Sequence, residues 1–253
     1  MISVCVLSYE RLDFLRQSIE SMVATASEPL EIIVHDDGSG LEVTQWLNQQ
    51  VYEGKISHLI LNPPGHNEGQ GSALNRMFHM AAGDIIVKSD QDLIYQPGWS
   101  KAIREILEAS RHAQNQSGHR MGLAHMKAIG CLGLFKYEVD PVDHRKMLIA
   151  PKMWGRVQWD VVKDFVGSLM AIPREVWEQL GPFDEHSEAF AEDFSFKMEV
   201  ANSVDWCLGL TPTDFVQNIG FGEGPSTVVV RDANQELTSR AIHDEPHLVT
   251  REG

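Results

Sequence analysis

The feature that most constrains this chain is a rhythm: short β-branched runs alternate with stretches whose apolar residues recur at helical spacing. Ile2, Val4 and Val6 alternate as a buried strand does, and Leu12, Leu15, Ile19 and Met22 follow at helix spacing. A second strand is expected over 31–35, a short helix around Val43, Trp46 and Leu47, and a third strand over 57–61. Leu74, Met77, Phe78 and Ala81 mark the next helix, 84–89 a fourth strand, and Ile103, Ile106 and Leu107 a helix after Pro97. Strands and helices in strict alternation build β-α-β units around a mainly parallel sheet. The later half changes character. Residues 147–162 alternate weakly, as antiparallel strands do, and 173–180 reads as a helix with Pro near its start and Gly181 past its end. A further helix is expected over 192–201, followed from Gly220 by a Gly-rich, then charged tail.

In a parallel sheet the carboxyl ends of the strands share one edge, where ligands bind. Three of the four expected strands end there in ligand-type residues. The fourth ends in Asp90-Gln91-Asp92, two carboxylates flanking one residue; Mg²⁺ and Mn²⁺ use one or two carboxylates plus substrate phosphates. The first ends in Ser8-Tyr9-Glu10-Arg11, where an aromatic ring can stack on a base and a guanidinium can reach a phosphate. The second ends in Asp36-Asp37-Gly38-Ser39, whose carboxylates suit an imide N–H or a ribose hydroxyl. Asn67-Glu68-Gly69-Gln70-Gly71, with Asn75 on the next helix, lets backbone amides approach a ligand. Near the other end, Glu192-Asp193 sits between Phe190 and Phe194, a setting that favours a general base. Each motif alone also fits a surface turn or a helix start; their convergence on one sheet edge favours a site.

Taken together and in order, these pieces resemble the GT-A-type nucleotide-sugar-dependent glycosyltransferases, in particular the inverting family 2. The pieces are residues 2–11, 31–39, Asn67-Glu68-Gly69 with Ala73-Leu74-Asn75, Ala82-Gly83-Asp84 through Asp92, and Leu180-Gly181-Pro182-Phe183-Asp184 leading to Glu192-Asp193. The resemblance implies an α/β GT-A fold: a Rossmann-like nucleotide-binding half over 1–110, then a mixed acceptor-binding half and tail over 111–253, in one domain. It implies a metal-dependent, non-processive transfer of one sugar to an acceptor hydroxyl with inversion. Ser8, Tyr9, Arg11, Asp36, Asp37, Asn67, Gly69, Asn75 and Asp90 would bind a UDP- or GDP-linked donor. Asp90 and Asp92, with His243 or His247 from the tail, would face Mn²⁺ or Mg²⁺. Asp193 would be the base with Glu192 beside it, and Trp154, Trp159 and Gly167 would lie on the acceptor side. The chain departs from the family pattern at Glu10, where Asn is usual, and at Leu93, where another acid is common. A retaining transferase on the same fold and an inactive nucleotide-sugar-binding protein are the alternatives.

A formal charge of −15 disfavours nonspecific binding to nucleic acid or anionic membrane. No window approaches the ~18 apolar residues of a membrane span. Three scattered cysteines fit no disulfide framework, so a reducing, cytoplasmic setting is expected.

Overall fold

The computed structural model describes residues 1–112, 120–129, 137–139, 146–148, 152–154, 157–162, 168–185, 192–202, 206–219, 227–231 and 237–241. The expected alternation is present: β1 (Ile2–Ser8), α1 (Leu12–Thr25), β2 (Leu30–Asp36), α2 (Leu41–Tyr52), β3 (His58–Leu61), α3 (Gln70–Met80) and β4 (Ile85–Ser89). Then come β5 (Leu93–Tyr95), α4 (Trp99–His112), β6 (Arg120–Ile129), β7 (Tyr137–Val139), β8 (Lys146–Leu148), β9 (Lys152–Trp154) and β10 (Val157–Val162). The chain continues through β11 (Leu169–Pro173), α5 (Arg174–Leu180), α6 (Glu192–Asn202), β12 (Trp206–Asn218), β13 (Thr227–Arg231) and β14 (Leu237–Ala241).

A ten-stranded sheet runs β3-β2-β1-β4-β11-β6-β12-β10-β9, with β5 pairing to β12. Strands β3, β2, β1 and β4 are parallel, β11 is antiparallel to β4, and the remainder is mixed. The fold is therefore α/β, with the parallel first half and mixed second half expected. Both faces of the parallel half are covered, as parallel sheets require. On one face Ile2, Val4 and Val6 of β1 pack with Leu15 and Ile19 of α1, Leu47 of α2 and Ile103 of α4. On the other, Cys5 lies with Met77 and Phe78 of α3, Trp177 of α5 and Phe196 of α6. The period-2 side-chain alternation of a strand sends alternate β1 residues to opposite cores. Leu93 is fully buried in β5, so the apolar residue after Asp92 belongs to the core.

Strand order reverses at β1: β2 and β3 extend the sheet one way and β4 the other. Such a switch point leaves a crevice beyond the strand ends. Residues 9–11, 37–40 and 90–92 follow the carboxyl ends of β1, β2 and β4, so all three expected motifs share this edge.

The opposite edge is tied by charge. Arg104 pairs with Glu28 and Asp84, and the Met1 ammonium also bonds Asp84. Burial pushes the Asp84 carboxyl up, but hydrogen bonds from Arg104 and Met1 outweigh it and hold it well below the usual carboxylate range. Glu31 is lowered too: burial raises it, but bonds from the Ser3 hydroxyl and the Ala82 N–H win. A carboxyl depressed by folding contributes stability above its unfolded value, near 4 or so, that is lost as pH falls through its folded value. Arg104→Met is therefore expected to move acid unfolding to higher pH. Circular dichroism between about pH 5 and pH 2 reads this; an unchanged midpoint would deny the network its role.

Candidate active site

The site is a cleft of ≈ 260 Å³ at the switch point, lined by Leu7, Ser8, Tyr9, Arg11, Asp37, Asn67, Gln70, Asp90, Gln91 and Asp92. Seven of the expected site residues (Ser8, Tyr9, Arg11, Asp37, Asn67, Asp90 and Asp92) thus meet in one place.

The corner after β1 is the strained part. Glu10 and Arg11 both have φ 50°, the left-handed region. For residues bearing a Cβ this costs roughly 1–3 kcal/mol each, and it persists only where the surroundings over-determine it. Here they do. The Gln91 side-chain amide clasps the Tyr9 backbone on both sides, accepting from Tyr9 N–H at 3.0 Å and donating to Tyr9 C=O at 2.8 Å. Glu10 N–H donates to Ser39 Oγ at 2.7 Å, and Glu10 Oε1 accepts from Gly40 N–H at 2.9 Å. Glu10 therefore places its carboxylate at the α2 N-terminus, where negative charge is favoured. The departure from Asn at this position serves the junction of two loops.

The adjacent carboxylates after β2 divide their work. Asp36 is fully buried; its Oδ1 accepts from Ser39 N–H, and its Oδ2 accepts from the hydroxyls of Ser8 and Ser39. It presents no surface to a ligand and instead braces two strand ends. Asp37 lines the cleft. Its Oδ1 accepts from Asn62 Nδ2 at 2.9 Å and Glu68 N–H at 2.8 Å, which fixes the carboxylate with its other oxygen available. Gly38, just after them, has φ +92°, and a Cβ there would lie 2.7 Å from the His66 carbonyl oxygen. No other residue fits this turn without moving the loop.

Asp90 and Asp92 stand at the end of β4. Each carries a protein cation: Lys88 Nζ lies 2.6 Å from Asp90 Oδ1, and Arg11 Nη1 lies 3.1 Å from Asp92 Oδ2. Lys88 is buried, whereas Arg11 is about one-third exposed, with a side-chain exposure of 34%. Tyr95, buried in β5, donates to Ser89 Oγ at 2.7 Å, and Ser89 Oγ donates to the Asp90 carbonyl, steadying the turn from below. No group of three or more His, Cys, Asp or Glu side chains among the described residues is placed to hold a metal ion. The donor set is thus two strand-end carboxylates open to a cleft. That suits a divalent ion arriving with phosphates rather than one held in an all-protein cage.

Other expected residues fall elsewhere. Asn75 is buried on α3, with Nδ2 donating to Phe183 C=O and Glu185 Oε1 and Oδ1 accepting from Phe183 N–H. It splices α3 to the 181–185 segment and does not line the cleft. Gly69 is the N-cap of α3 and also stands outside the lining. Glu192 and Asp193 open α6, which packs on α3, α5 and β12; their side chains lie outside the described residues. Trp154 ends β9 and Trp159 lies in β10, paired strands of the mixed half, again without described side chains. Gly167, His243 and His247 lie outside the described residues. Sequence reasoning missed Gln70 and Gln91. The amide between the two aspartates was the available signal for Gln91, since a group that both donates and accepts can clasp a backbone.

Residues 3–126 match the sequence profile described as Glycosyl transferase family 2. An uncharacterized glycosyltransferase of Nostoc sp. (strain PCC 7120) is 30% identical over 112 residues, 43% of this chain and 33% of that protein. An uncharacterized glycosyltransferase of Haemophilus influenzae is 24% identical over 250 residues, 97% of this chain and 72% of that protein. Among solved structures, GalNAc-T7 with UDP, GalNAc and Mn²⁺ matches with a TM-score of 0.63 at 15% identity, over 86% of this chain and 43% of that one. The chain spans about a third of the length of the Nostoc relative. No helix among the described residues is long and apolar enough to cross a membrane. The profile match takes in every described residue lining the cleft, and the structural match bears out the expected α/β GT-A fold.

Proposed function

We propose that this chain transfers one sugar from a UDP- or GDP-linked donor to an acceptor hydroxyl with inversion, non-processively, in a cytoplasmic setting. The observation that carries the reading is the meeting of Tyr9, Asp37, Arg11, Asp90 and Asp92 in one cleft at the switch point. The GalNAc-T7 complex, with UDP and Mn²⁺ in a protein of the same fold, supports a nucleotide donor and a divalent ion. The chain then works as one domain, residues 1–110 holding the donor and 111–253 the acceptor.

Asp37 accepts hydrogen bonds from the base or ribose, and the exposed Tyr9 ring lies against the base. Asp92 and Asp90, with a late histidine, His243 or His247, would hold the Mn²⁺ or Mg²⁺ that comes with the diphosphate. When bound, that ion supplies Lewis-acid stabilisation of charge on the leaving diphosphate. The Asp193 carboxylate takes the proton of the acceptor hydroxyl while the oxygen attacks the anomeric carbon. The bond from that carbon to the diphosphate oxygen breaks, and its electron pair leaves with the oxygen. Glu192 flanks the base, and Trp154, Trp159 and Gly167 border the acceptor.

A thermal-shift panel of UDP- and GDP-sugars with and without Mn²⁺ tests this, because a ligand that binds only the folded state raises the melting temperature. A Mn²⁺-dependent shift with one nucleotide class is expected. Asp193→Asn should keep that shift and lose transfer by ~10²–10⁴, the usual contribution of a general base. Undiminished transfer would remove Asp193 from the mechanism. An anomeric proton of unchanged configuration in the NMR spectrum of the product would replace inversion by retention.

A further inference from the structure

We infer that Arg11 is a placeholder cation: it neutralises Asp92 while the cleft lacks donor and passes to the diphosphate oxygens when the metal-bound donor takes Asp92. This rests on the reading of Asp92 as the carboxylate that faces the metal.

The two aspartates differ in how replaceable their partners are. Lys88 is buried within β4, so parting it from Asp90 would break a buried ion pair, which is costly. Its pairing is permanent. Arg11 sits at the mouth of the cleft, and its guanidinium carbon lies 4.2 Å from the centre of the Phe14 ring. A cation over an aromatic face keeps a favourable contact while its hydrogen-bond partner changes. Among the described residues lining the cleft, Arg11 is the one basic side chain. A nucleotide-sugar diphosphate gains negative charge as its sugar departs, and the guanidinium fork matches phosphate oxygens in a paired geometry.

The backbone supports the same role. The left-handed corner at Glu10 and Arg11 is held from both sides, by Gln91 between the two aspartates and by Ser39 and Gly40 beyond β2. That frame aims Arg11 at the point where carboxylate and diphosphate meet. A divalent ion and a guanidinium compete for one carboxylate, so the ion alone binds poorly. Once diphosphate is present, the displaced guanidinium gains a new anionic partner. Metal and nucleotide therefore bind cooperatively, and Arg11 carries the coupling.

Calorimetric titration of the full chain tests this with Mn²⁺ alone, and with UDP or GDP at saturating Mn²⁺, in wild type, Arg11→Met, Arg11→Lys and Asp92→Asn. Arg11→Met is expected to bind Mn²⁺ alone about 3- to 10-fold more tightly, the scale of a part-exposed ion pair plus the repulsion removed. The same variant should bind the nucleoside diphosphate about tenfold or more weakly, as expected for loss of a charge-assisted phosphate contact. Arg11→Lys should restore part of both. Arg11→Gly, suited to the left-handed corner, should give the same opposed shifts if Arg11→Met folds poorly. A simple structural defect would weaken both ligands together, and that result overturns the proposal. If Asp92→Asn loses Mn²⁺ while Arg11→Met binds it no better than wild type, the exchange is wrong and the metal reading survives. If Asp92→Asn binds Mn²⁺ and nucleotide as wild type does, the metal reading fails and the exchange with it.

Discussion

Asp92→Asn is expected to abolish metal-dependent turnover while leaving the fold intact. The substitution keeps the shape of the side chain but removes the negative charge at the end of β4. Lewis-acid stabilisation of a leaving group is worth several kcal/mol, and each ~1.4 kcal/mol is tenfold in rate, so donor hydrolysis and transfer should fall by ~10²–10⁴. Stability should change little. The Asp92 ion pair with Arg11, whose side chain is one-third exposed, contributes about 0–1 kcal/mol. Initial rates with and without Mn²⁺, beside a melting curve, separate the two effects. A variant with wild-type rates would remove Asp92 from the chemistry.

Asn75→Ala should do the reverse, destabilising the protein by roughly 2–4 kcal/mol with little change in donor affinity. Its amide makes a reciprocal pair with Phe183, donating to the carbonyl at 3.0 Å and accepting from the N–H at 2.9 Å, in a buried setting. Truncation leaves both backbone groups without a partner, at about 1–3 kcal/mol for each buried group stranded. Glu185 loses its 2.7 Å bond as well. The rings of Phe183, Phe78 and Trp177 pack together at this junction, with centroids 4.8–5.2 Å apart, so the loss loosens the seam between α3 and α5. Urea denaturation measures the stability, and UDP titration with Mn²⁺ measures the site. A large loss of nucleotide affinity at unchanged stability would place Asn75 in the donor site after all.

These two residues show what the sequence could and could not reveal. Asp92 was legible because a short β-branched run ending in acids fixes both the strand and the edge its carboxylates reach. The same logic placed Ser8, Tyr9, Arg11 and Asp37. Asn75 was not legible, because its role depends on a partner 108 positions away that no local pattern announces. Asp36 and Asp37 are neighbours of the same type, yet one is locked beneath Ser8 and Ser39 and the other opens to the cleft. Glu10 and Gln91 gain their meaning from loops that meet only in the fold. Among the strands, three-residue β5 is too short to show a period. The long β12 takes its place by pairing with β6, β10 and β5, far away in sequence. The β13–β14 pair, where a charged tail was expected, follows from the β-branched run Val228-Val229-Val230.

The most direct test of the account is a crystal of the protein grown with UDP and Mn²⁺ and measured at a wavelength where manganese scatters anomalously. The account predicts a single strong peak at ~2.0–2.3 Å from an Asp92 carboxylate oxygen, bridging to the diphosphate, with the uracil near Asp37 and Tyr9. Manganese bound away from Asp92, or UDP lying outside the cleft between β1 and β4, would contradict it.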